Sequence, residues 1–154
     1  MLRPQRLNTM ANVVGFVLLG LTGYAAMETQ RAFGLKLGAV VPDWLSFVSA
    51  FCFGIFGWFG LGYNAGFGGF RSLVSGLRYM VLALMFTCIV FGVIFIVGQL
   101  LRGFYLDPFK TIFDWFRISF DYFIDTFNIP VWSVLVLGAL ISGRLTGIAA
   151  YRWR

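Results

Sequence analysis

The densest chemistry in the chain lies between residues 107 and 125. Asp107, Lys110, Thr111, Asp114, Arg117, Asp121 and Asp125 follow one another at intervals of one, three or four. At about 100° per residue they share one side of a helix, in an arc roughly 120° wide. Carboxylates beside basic groups could transfer protons or hold an ionic substrate. Their signs alternate, however, with Lys110–Asp114 and Arg117–Asp121 at i,i+4. That is the pattern of a solvated helix face, worth about 0.2–0.5 kcal/mol per pair.

Other chemistries lack their residues. The chain has no histidine, which removes a Ser-His-Asp arrangement and haem ligation by paired imidazoles. Cys52 and Cys88 sit inside apolar runs as small hydrophobes. No cluster of Cys, Asp or Glu has the spacing of a zinc, di-iron or iron–sulfur site. The Gly-x-Gly-Gly at 66–69 follows no strand and lacks the Gly-Lys-Ser/Thr of a phosphate loop, so it reads as part of a turn over 64–78. No enzymatic activity and no cofactor are expected.

One ionisable residue, Arg144, falls inside an otherwise uncharged run. Six residues from Ala150 is about 9 Å along a helix, within reach of a long side chain that snorkels to the interface. The sharper expectation is a site for lipid phosphate or a partner's carboxylate, on which Arg71 and Arg78 converge. Asn12 and Asn64 are expected at the same depth.

These residues need elements to place them, and composition says what kind. Of 154 residues, 60% are hydrophobic and 12% charged, about half the charge of a soluble domain. Four runs carry almost no charge: about 7–27, 44–63, 79–100 and 131–150. Each is long enough to cross a hydrocarbon core of about 30 Å. The first follows a basic N-terminus but has no A-x-A-like cleavage site, so it is expected to be a retained span. Trp44 and Tyr63 suit the two interfaces of the second. Gly54 and Gly57 in that run, and the Ala139, Gly143, Gly147 series in the last, are small residues at the spacing that lets helices approach.

Between the third and fourth runs, Asp107 and Pro108 open a helix over 108–127. Phe109, Ile112, Phe113, Phe116, Phe120, Phe123 and Phe127 lie opposite its charges, with Trp115 and Tyr122 on the flanks and Ile118 out of pattern. Four aspartates forbid a span, since one acid at the bilayer centre costs about 3 kcal/mol. The expected place is the membrane surface, with the phenylalanines buried in lipid or docked on a partner.

The expected fold is therefore all-α: one polytopic membrane domain over 1–154, with four transmembrane helices and one interfacial helix. The formal charge of +6 is scattered, which points away from nucleic acid and towards span-flanking residues. Basic residues place both termini on the cytoplasmic or matrix side of a bacterial or organellar inner membrane. The expected function is a non-catalytic accessory subunit that braces neighbouring spans, with larger integral membrane subunits and anionic lipids as partners. The alternative is a small homo-oligomeric channel, holin-like protein or transporter.

Overall fold

The computed structural model describes residues 9–33, 42–62, 69–103 and 107–152. They form α1 (Thr9–Ala32), α2 (Trp44–Phe56) with a π-helical continuation over Gly57–Gly62, α3 (Gly69–Leu101), α4 (Pro108–Asp125) and α5 (Ile129–Arg152). Among the described residues 93% are helical and none is in a strand. Every such segment pairs its own backbone groups, as a chain crossing lipid must. Four helices are long and apolar enough to cross a membrane: Met10–Ala32, Trp44–Gly62, Phe70–Leu101 and Ile129–Arg152. This is the make-up of a membrane protein.

Neighbouring helices run antiparallel. Gly20 meets Ala50 and Gly15 meets Gly57 across α1 and α2; Gly76 meets Ala139 and Gly143 meets Ser72 across α3 and α5. Val13 and Val17 lie beside Leu145, Ile148 and Arg152, so α1 and α5 are also opposed. Thr9 and Arg152 therefore mark the same end of the bundle.

Small residues make the close approaches possible. A methyl group on Gly15 would come 2.5 Å from the Gly57 carbonyl oxygen, and one on Gly143 would come 2.5 Å from that of Ser72. Hydroxyls tie the same seams. Ser49 donates to the Gly23 carbonyl at 3.0 Å, and Ser72 donates to that of Gly143. The bundle is apolar outside as well as in its core. Asn12, Thr22, Gln30, Ser49, Thr87 and Ser142 are among the buried residues, whereas Phe47, Phe51, Phe59 and Phe70 point outward.

Three boundaries differ from the expected spans. The first helix continues past Met27 to Ala32 because its charges find partners: Arg31 lies 3.1 Å from Glu28 and 3.2 Å from Asp43, and Ser46 donates to Glu28 at 2.7 Å. These bonds tie the end of α1 to the start of α2. The third helix begins at Gly69, so most of the expected turn over 64–78 is helix, held there by the seam of Ser72 and Gly76 with α5. The helix expected over 108–127 closes at Asp125, and α5 starts at Ile129 with Pro130 in its first turn. Residues 7 and 8, Tyr63 and Asn64 lie outside the described residues.

At 33 residues α3 is about 50 Å long, against about 36 Å for the 24-residue α1 and α5. The excess is at its C-terminal end. Val131, in the first turn of α5, lies level with Cys88 and Phe91 around one small internal cavity. About ten residues of α3 thus run on past the start of α5, and α4 packs at the base of this extension, on Ile89, Phe91 and Gly92.

Candidate functional site

Helix α4 starts as its sequence demands. The Asp107 carboxylate accepts a hydrogen bond from the Phe109 amide at 3.0 Å, and Pro108 occupies the first helical position. Satisfying an orphan N-terminal amide in this way contributes about 1 kcal/mol. Little chain separates Gly103 from Asp107, so α4 turns back along α3.

The structure divides α4 into three edges. Trp115, Ile118, Ser119, Tyr122 and Thr126 lie within about 60° either side of one line, and this edge meets the bundle. Trp115 Nε1 donates to the Ile89 carbonyl at 3.4 Å, and the rings of Phe91 and Tyr122 meet edge-on with centroids 5.5 Å apart. Gly92 makes the crossing possible, because a methyl group there would lie 2.9 Å from the Trp115 ring. Ile118 packs against the core. Its misfit with the phenylalanine side is explained: it belongs to a third edge, which a two-sided reading hides.

The phenylalanine line runs about 130° round from the docked edge. Phe109, Phe113, Phe116 and Phe120 are 76%, 77%, 62% and 61% exposed, so none of them serves the chain's own core. Phe123 turns partly inward and stacks edge-on against Phe127 at 5.1 Å. The charged line lies about 110° the other way, with Lys110, Arg117 and Asp121 exposed. The expected pairs Lys110–Asp114 and Arg117–Asp121 are not closed as ion pairs among the described residues. Long side chains in water keep their rotamer freedom when an exposed pair returns so little.

Tyr122 is the one side chain of α4 buried outright. Burial pushes its phenol above the ordinary value, and the nearby Asp125 carboxylate adds to the rise. Tyr122 lines a small, mostly apolar pocket of the bundle, whose polar members include Gln30, Ser49 and Thr87. That pocket is about 30 Å³, room for about two water molecules.

No contact joins Arg71, Arg78 and Arg144 among the described residues. Arg71, Arg78 and Arg144 are all exposed, and none has a hydrogen bond or ion pair among the described residues. Ser72 and Gly76 mark the face of α3 turned to α5, and Arg71 and Arg78 lie about 120–140° round from it. Asn12 is buried, with no hydrogen-bond partner for its side-chain oxygen. The packing residues are inside. Gly54 faces the Phe16 ring, Gly57 faces Gly15, and Ala139 is fully buried against Gly76. The glycine faces are thus filled by the chain's own helices, and a neighbour would meet bulky outer side chains instead.

Among the described residues no group of three His, Cys, Asp or Glu could hold a metal ion. No protein-family model, curated protein or solved structure matches this chain.

Proposed function

We propose that this chain is a non-catalytic accessory subunit of a larger membrane complex, anchored at one membrane surface by α4. The observation that supports it most is the division of α4. Its docked edge is neither the phenylalanine line nor the charged line, so a helix already fixed to the bundle still presents an unused aromatic strip. Phe109, Phe113, Phe116 and Phe120 enter the acyl boundary or a partner's flank, while Lys110, Arg117 and Asp121 face water. The bilayer is a bacterial or organellar inner membrane, with both chain ends on the cytoplasmic or matrix side and α4 opposite. Arg71, Arg78 and Arg144 meet lipid phosphates or partner carboxylates singly.

Native electrophoresis of the chain extracted in mild detergent tests the reading. Comigration with larger integral membrane proteins is expected, and Phe113→Ser with Phe116→Ser and Phe120→Ser should weaken it. A homogeneous monomer without partners overturns the subunit role. Ion flux through liposomes holding the purified chain alone would favour a channel.

A further inference from the structure

The core-facing stripe of α3 outruns the bundle. Met80, Leu84, Cys88 and Phe91 are buried in the common core, and the same stripe continues as Phe95, Gly98 and Arg102, with Ile94 and Gln99 beside it. Beyond Phe91 no helix closes over it on every side. Pro42, Trp44 and Leu45 from the start of α2 form one wall, and Tyr122 of α4 forms the other. The space enclosed is about 310 Å³, at the lower end of the range for ligand pockets of about 300–1000 Å³.

Its chemistry is that of an amphiphile's neck. The walls are aromatic and aliphatic, and the mouth carries one cation, Arg102, which is exposed and has no side-chain partner among the described residues. Phe91 lies about 16 Å below Arg102 along the helix. Gly98 forms the floor between them, and a methyl group built on it meets nothing within 4 Å. Gly54, Gly76, Gly92, Gly138, Gly143 and Gly147 each face a neighbour at contact distance or closer. Here the missing side chain leaves room that no residue of the bundle uses.

We infer that this cleft between α2, α3 and α4 binds one anionic phospholipid, with an acyl chain over Gly98 between Trp44, Phe95 and Tyr122 and the phosphate on Arg102. The inference rests on the four helices lying in a bilayer, not on the subunit role. Charge complementarity selects the occupant: an apolar slot ending in a single unpaired guanidinium matches a tail joined to a phosphate.

Native mass spectrometry of the full chain in mild detergent tests it, with phosphatidylglycerol or phosphatidylcholine added. The wild-type chain is expected to retain one phosphatidylglycerol in preference to phosphatidylcholine. Arg102→Gln should lower that preference about fivefold, the weight of one basic residue at an anionic surface. Gly98→Leu fills the slot without touching the fold and should lower retention of both lipids at least about tenfold, with helicity by circular dichroism unchanged. Wild-type retention in Gly98→Leu, equal retention of the two lipids, or no retained lipid overturns the proposal. None of these outcomes bears on comigration with larger partners, so the two readings fail separately.

Discussion

At the residue scale, glycine carries two opposite meanings in this chain, and one chemical change separates them. Gly57 sits where α1 and α2 touch through their backbones, and an added methyl group would strike the Gly15 carbonyl. Gly57→Ala should therefore destabilise the bundle by about 1–3 kcal/mol through overpacking. Gly98→Ala meets open space and should stabilise α3 by up to about 1 kcal/mol through helix propensity alone. Unfolding in mixed detergent micelles, followed by circular dichroism, measures both. Equal shifts of the same sign would show that the α1–α2 contact is not as close as described. Sequence spacing marks Gly54, Gly57 and Ala139 as packing positions but not what they pack against. Small-residue spacing is the same for a seam within a chain and between chains, so what these faces meet follows only from the structure, where α1 fills the face of Gly54 and Gly57 and α3 that of Ala139.

At the element scale, α4 was the most legible part of the sequence and also the most incompletely read. Its cap, its start and its segregated charge follow from Asp107, Pro108 and the three-four spacing. Its docked edge does not, because Trp115, Ser119, Tyr122 and Thr126 are amphipathic or small and join neither group in a two-colour pattern. The edge depends on partners 20 or more residues away, such as Ile89, Gly92 and Phe91. A pH titration tests the docking. Tyr122 is neutral when docked and its phenol is raised above its ordinary 10.0, first by burial and then by Asp125. Between 10.0 and the raised value the undocked helix has lost that proton and the docked helix has not. Docking is therefore at full strength below pH 10 and weakens as pH rises through it. Near-ultraviolet circular dichroism should show aromatic signal lost above pH 10 in the wild-type chain. In Tyr122→Phe, which keeps the ring contact with Phe91, the loss should move to higher pH. A coincident loss in both chains would mean that Tyr122 does not control the seating of α4.

At the scale of the molecule, the proposed orientation rests on an antiparallel bundle and an uneven charge distribution. The described ends, Thr9 and Arg152, share one end of the bundle, while Phe33, Trp44 and Leu101 lie at the other. Among the described basic residues, Arg71, Arg78, Arg144 and Arg152 stand towards the first end, and Arg31, Arg102, Lys110 and Arg117 towards the second. The bias in basic residues is mild. The six acids all lie at the second end but weigh little in choosing topology. The native thiols, Cys52 and Cys88, are buried, so single exposed cysteines can report sidedness. In sealed inner-membrane vesicles of known orientation, an impermeant maleimide should reach Met10→Cys and Tyr151→Cys from the cytoplasmic face. Phe33→Cys and Lys110→Cys should react only from the other. Labelling of positions 10 and 151 from opposite faces would break the four-span arrangement itself. Labelling of all four positions with inside and outside exchanged would keep the bundle and reverse its insertion. The hairpin of α3 and α4, with the cleft over Gly98, would then face the cytoplasmic leaflet, where anionic lipid is concentrated. The same experiment therefore decides which leaflet supplies the lipid that Arg102 would meet.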